Sequence, residues 1–157
     1  MAVGTYDGLP ILGRKLRITI VISMKDKKDK ISQFLNEVSI WASTQSDIQA
    51  LALIGSYARN TATETSDVDL IIITANPSLY FQNPDWILQF GVVEKQQVED
   101  YGLLTSIRVW YIDGREIEYG ITDERWAAIP LDEGSRRVIS DSMEVLFEKN
   151  HILTRHQ

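Results

Sequence analysis

The sequence predicts a mixed α/β domain, a β-sheet of mixed strand direction flanked by helices (α+β), and three observations predict it. Ile31, Phe34, Leu35, Val38, Trp41 and Ala42 recur at the spacing of one helix face. Two apolar runs follow, "IQALALIGS" and "DVDLIIIT", the second apolar on both faces after its first three residues, as at the centre of a covered sheet. A series of shorter strands joined by turn residues comes next, with Asp113-Gly114 as a hairpin signal. Helix and strand alternate first and a meander follows, which is the order of a mixed layer architecture.

The elements can be justified in chain order. "GTYDGLPILGRK" carries turn residues without periodicity, and "LRITIVIS" reads as an edge strand, so residues 1–23 are expected to be an N-terminal appendage or edge strand. Residues 24–157 are then the single domain, with the amphipathic helix starting near Asp26 and the "KDKKDK" run as its solvated first turn. A buried strand is expected to end at Gly55 and a second to start at Asp67. Pro77 and Pro84 break the chain before a short helix, "DWILQF". "VVEKQQVE" and "LLTSIRVWYI" are strands around a turn at 100–102, and the turn at 113–114 leads into "REIEYGI". Thr122 can cap a short helix, "DERWAA", and "EVLFEK" is a last strand.

Composition excludes several functions. The net charge of −6 argues against a nucleic-acid-coating surface. With no cysteine, disulfides and thiolate metal sites are excluded. The apolar run at 18–22 is far short of the ~20 residues of a membrane span, and its basic cluster follows it, the wrong order for a signal peptide. No membrane association is expected, and the expected location is the cytoplasm. His151 and His156 lie in a polar tail with no third ligand nearby, and Trp86, Trp110, Tyr111 and Trp126 read as core rather than as a base-stacking platform.

Chemistry concentrates in "GSYARNTATETSDVDLIIIT". Residues i and i+2 of a strand share a face, roughly 6–7 Å apart along the backbone, so Asp67 and Asp69 can converge on one point. Two carboxylates held that close repel, and burying them unpaired costs several kcal/mol. A divalent cation removes both penalties, and Mg²⁺ prefers one or two carboxylates together with nucleotide phosphates. Gly55 permits close backbone approach, Ser56 adds a hydroxyl, and Arg59 a forked cation, so the pattern reads as a metal–triphosphate clamp.

Ile54-Gly55-Ser56, ten residues, and then Asp67-Val68-Asp69-Leu70 resembles the signature of the nucleotidyltransferase superfamily related to DNA polymerase beta. "GSYAR…SDVDL" is most similar to the minimal nucleotidyltransferases and the aminoglycoside adenylyltransferases. The resemblance implies a nucleotidyltransferase fold, with two Mg²⁺ ions and ATP or another nucleoside triphosphate held by Gly55, Ser56, Arg59, Asp67 and Asp69. It also implies a third carboxylate on a later strand, as metal ligand and base. Glu116 and Glu118 are the candidates, on one face if Glu118 pairs with Val109 across the hairpin. Glu118 is chosen because a charge between Ile117 and Tyr119 needs a reason, whereas Glu116 can pair with Arg115 at the surface. Asn60 stands where the family often has glycine, and asparagine tolerates the same left-handed backbone.

The expected function is Mg²⁺-dependent nucleotidyl transfer, with AMP passing from ATP to a hydroxyl of a small, aminoglycoside-like molecule or of a protein. The alternative is a non-catalytic nucleotide- or partner-binding module that retains the fold. The aminoglycoside enzymes hold their acceptor with a further helical domain, and 37 residues follow Gly120 here. The acceptor wall is therefore expected from the meander and tail, from a second copy in a homodimer, or from a helical partner protein.

Overall fold

In a computed structural model the chain is described over residues 5–6, 9–128, 133, 136–137 and 142–156, with side chains described from residue 25 onward. Two two-residue strands, β1 (Thr5–Tyr6) and β2 (Leu9–Pro10), pair antiparallel and lead into α1 (Ile11–Thr44). The edge strand expected at "LRITIVIS" is not found, because α1 runs through it. Each β-branched residue disfavours helix by only a few tenths of a kcal/mol, and extending an existing helix is far easier than starting one. The lysine–aspartate run is likewise mid-helix and not a first turn.

Six strands build the main sheet: β3 (Ile48–Ile54), β4 (Val68–Thr74), β5 (Val93–Asp100), β6 (Leu104–Tyr111), β7 (Glu116–Thr122) and β8 (Glu144–Glu148). Their order is β5-β6-β7-β4-β3-β8, antiparallel throughout except for the central pair β4–β7. Between β3 and β4 lies a one-turn helix, α2 (Gly55–Ala58), and between β4 and β5 come α3 (Pro77–Gln82) and a 3-10 turn at Pro84–Phe90. A second 3-10 turn, Glu124–Ala127, is capped by Asp123, whose side chain accepts from the Arg125 amide. Thr122, expected as that cap, is instead the buried last residue of β7. No described helix is long and apolar enough to cross a membrane.

Alternation along β4 divides the core. Val68, Leu70 and Ile72 face the α1 side, where Ile31, Phe34, Val38 and Ala42 pack with Leu51, Leu53, Val109, Ile117 and Tyr119. Burying each large side chain of this set contributes about 1.5–3 kcal/mol. Trp86 stacks on Trp41 at 4.9 Å and meets Tyr119 edge-on at 4.8 Å, so it serves the core, as does buried Tyr111, which shares a 2.9 Å hydrogen bond with the Tyr119 hydroxyl. Ile71 and Ile73 point the other way, onto Ala50, Ala52, Trp126, Met143, Ile152 and Leu153.

The core contribution of α1 among its described side chains starts at Ile31, since residues 25–30 are exposed or half-buried. A chain beginning at Met24 is therefore expected to stay folded and melt within ~4 °C of the full chain, the shift about 1 kcal/mol produces at this size. A thermal melt checks this, and aggregation or a far larger drop would show that residues 1–23 support the core.

Candidate active site

The face that carries Ile71 and Ile73 also carries Asp67 and Asp69, four and two residues before Ile71. Strand alternation puts both carboxylates opposite α1, at the end of β4 where the strand begins, and Asp67 keeps 30 % of its side chain exposed. The aspartates thus interrupt an apolar strand without entering the α1 core.

Parallel pairing of β4 with β7 supplies the third carboxylate. Glu118 is the direct neighbour of Asp69 in the register, and one oxygen from each of Asp67, Asp69 and Glu118 falls within 4.8 Å of the others. This is the only such cluster of potential metal ligands among the described residues, and neither tail histidine joins it. Crowding shows in Asp69, whose carboxyl is pushed from 3.8 up to about 7. Burial is the largest cause, followed by the Asp67 charge and the hydrogen bond and charge of Glu118, with Arg108 acting against them.

Gly55 fits against this cluster by necessity. Its φ is +74°, and a Cβ there would run into Asp69 Oδ2. Ile54, the residue before it, pairs with Asp69 in the sheet, so the turn is fastened beside the carboxylates. Ser56 and Tyr57 follow on α2. Burial, and after it the Asp67 charge, raises the Tyr57 hydroxyl above its usual range. Arg59, the C-cap of α2, is exposed and forms no ion pair with a described residue. Asn60 adopts φ +56°, the left-handed backbone expected of it. Gly55→Ala is expected to displace Asp69 and reduce Mg²⁺-dependent nucleotide binding at least tenfold while the core melts cooperatively, which titration calorimetry and a thermal melt would read together. Unchanged binding would mean that the Asp69 carboxylate position is not critical.

Residues 29–125, well over half of the chain, match the family model described as a nucleotidyltransferase domain. The chain belongs to the nucleotidyltransferase family. Among solved structures, it is similar to an aminoglycoside 6-adenyltransferase from Bacillus subtilis, at 15% identity over 66% of this chain and 35% of that one, with a TM-score of 0.47. It is also similar to a toxin–antitoxin with AMP-PNP, at 13% identity over 82% of each chain, with a TM-score of 0.38. The chain thus spans about a third of the Bacillus enzyme, 35% of its length. No curated protein matches it.

For a nucleotidyltransferase, the carboxylate trio is the donor set to test against a divalent cation, and it fits. All three donors are oxygens, which suit Mg²⁺, and one from each residue lies within 4.8 Å of the others, so they can converge on a shared ion. Three positions do not make an all-protein cage, which leaves room for phosphate oxygens.

The hairpin places Glu118 differently from the sequence reading. Glu118 pairs with Arg108 and Glu116 with Trp110, one residue away from the expected Val109 and Tyr111 partners. Asp113-Gly114 is part of a three-residue loop, 112–114, and not a two-residue turn. The Gly114 amide donates to Tyr111 O at 3.0 Å, the Tyr111 amide to Arg115 O at 2.9 Å, and Gly114 has φ +93°, a type I turn closed by a glycine bulge. Both glutamates still share a face. The expected Arg115–Glu116 surface pair is absent: Arg115 is buried, bonded to Asp113 at 2.8 Å and to Phe90 O at 2.6 Å.

Two neighbours of the site escaped the sequence reading. Buried Ser106 donates to Glu118 Oε1 at 2.8 Å. Arg108 Nη2 donates to Glu118 Oε2 at 2.9 Å, and its Nη1 donates to Glu116 at 2.9 Å and to Asp67 at 3.3 Å. The signal was present: a charge between Ile107 and Val109 needs a reason as much as Glu118 does.

Proposed function

We propose that the protein is a Mg²⁺-dependent nucleotidyltransferase that moves AMP from ATP to a hydroxyl of a small molecule or protein. The convergence of Asp67, Asp69 and Glu118 within 4.8 Å, in a chain of this family, carries the reading. In this proposal the three carboxylates hold two Mg²⁺ ions, which when bound would stabilise charge on the attacking and leaving oxygens. The Gly55-Ser56 turn receives the triphosphate and Arg59 supplies a cation to it. The acceptor oxygen attacks the α-phosphorus, the bond to pyrophosphate breaks, and Glu118 takes the acceptor's proton. The acceptor must be held in line within ~3–3.5 Å of that phosphorus. The wall that holds it is drawn from β5–β7, from a second copy, or from a helical partner chain.

A binding module without transfer is the second reading. It is favoured by one observation, that both Glu118 oxygens are already engaged by Ser106 and Arg108. One experiment separates the two: the protein is incubated with Mg²⁺, each α-labelled nucleoside triphosphate in turn, and a metabolite extract. Pyrophosphate release with a labelled product supports transfer. Saturable Mg²⁺-dependent binding with no pyrophosphate under any nucleotide supports the module.

A further inference from the structure

We propose that Arg108 is an internal counter-ion that competes with the divalent cation for Asp67 and Glu118, and that Glu116 and Glu99 are the seat it keeps when the cation binds. This inference rests on the metal-dependent reading above and adds a residue that sets cation affinity.

The guanidinium touches four carboxylates. Nη2 lies 2.9 Å from Glu118 Oε2, and Nη1 lies 2.9 Å from Glu116 Oε1 and 3.3 Å from Asp67 Oδ2. Nε lies 3.8 Å from Glu99 Oε1. Asp67 and Glu118 belong to the carboxylate trio, whereas Glu116 and Glu99 do not. A cation bound by the trio draws on two of the carboxylates that Arg108 grips, and two cations on shared ligands repel. A lysine could relieve that conflict by releasing its proton, but an arginine stays charged and has to move.

The other half of its grip is already built. Glu99 is held by the Tyr101 hydroxyl and by Gln97 Nε2 at 3.3 Å, and Glu116 stands one strand over on β7. Glu118 would not be released with the guanidinium, because Ser106 holds its other oxygen at 2.8 Å. The arrangement is therefore an exchange: the cation gains Asp67 and Glu118 while Arg108 retains Glu116 and Glu99. It also accounts for Glu116, a second glutamate on the same face that the trio does not use.

The test is calorimetric titration of Mn²⁺ alone, without nucleotide, into wild type, Arg108→Leu, Arg108→Lys, Glu116→Gln and Lys95→Leu. Arg108→Leu is expected to bind Mn²⁺ roughly tenfold tighter than wild type, since the competing charge is gone. Arg108→Lys, which keeps charge but loses the fork, is expected to fall between them. Glu116→Gln is expected to bind roughly threefold weaker, because the guanidinium then leans harder on the trio. Lys95→Leu, which removes a cation lying 4.5 Å over the Trp110 ring, controls for net charge and is expected to bind as wild type does. Unchanged or weaker binding by a natively melting Arg108→Leu overturns the proposal, as does equal tightening by Lys95→Leu. Should Arg108→Leu not fold, Arg108→Lys binding tighter than wild type supports the proposal and the reverse order overturns it. Wild-type binding without tightening in the arginine variants leaves the metal reading intact and removes only this inference. Absence of Mn²⁺ binding in every variant removes both.

Discussion

Asp67→Asn combined with Asp69→Asn is expected to abolish Mg²⁺-dependent triphosphate binding and at the same time to raise the melting temperature of the free protein above pH 7. Removing groups that merely orient metal ligands costs ~10–100-fold in metal affinity, so losing two direct ligands should exceed that range. The stability gain follows first from burial of the Asp69 charge and then from its crowding by Asp67 and Glu118. Asp69 holds its proton up to about 7 in the folded chain, against an ordinary value of 3.8. Its ionisation therefore costs the native state stability progressively as pH rises from 3.8 to about 7, and the full cost applies above that. Asparagine escapes this cost, so the difference in melting temperature between variant and wild type should be positive at pH 8 and vanish near pH 4. Losing the partly exposed Asp67–Arg108 pair subtracts only about 0–1 kcal/mol. Calorimetric titration with ATP and Mg²⁺, and melts across this range, check both halves. Undiminished ATP–Mg²⁺ affinity in the double variant would refute the clamp.

The second large effect is Glu118→Gln. The substitution keeps the shape and a hydrogen-bonding oxygen for Ser106, but removes charge and basicity. Transfer is expected to fall ~10²–10⁴-fold, the usual worth of a positioned general base, while Mg²⁺-dependent nucleotide affinity falls less than in the double aspartate variant, since Asp67 and Asp69 remain as ligands. Glu116→Gln, measured at saturating Mg²⁺, is expected to stay within about tenfold of wild type, since Glu116 lies outside the carboxylate trio. Silent Glu118→Gln beside a damaging Glu116→Gln would reverse the roles of the two residues.

What could be read from the sequence was what local alternation dictates. The side-chain period of a strand placed Asp67 and Asp69 on one face with no tertiary information, and the Gly55 turn followed from the apolar run ending there. Register across a hairpin depends on the loop's geometry: the bulge at Gly114 shifted every β6–β7 partner by one and hid Arg108 opposite Glu118. Arg115 misled for a related reason, because its neighbour in sequence is Glu116 while its partners, Asp113 and Phe90, are set by the loop and the core. In the N-terminal segment, β-branched composition favoured a strand, but a helix already running through 25–44 extends through such residues at little cost.

The central parallel pair has a consequence for how the site comes into being. A parallel neighbour cannot be reached by a tight turn, and here the detour between β4 and β7 passes through α3, a 3-10 turn, β5 and β6. The β5–β6 and β6–β7 hairpins close over short loops, whereas β7 meets β4 only by a long-range encounter, which folding reaches late. The seam between the two strands also divides the chemistry. Asp67, Asp69 and Gly55 travel with β3 and β4, whereas Glu118, Glu116, Ser106 and Arg108 travel with β6 and β7. Partial opening along that seam is expected to take the carboxylates apart while leaving each half locally ordered. Native-state hydrogen exchange should then show the β4–β7 amides exchanging together, and protection persisting within the β6–β7 hairpin after the β4–β7 bonds have opened would locate the assembly step there; simultaneous loss would place it in global unfolding.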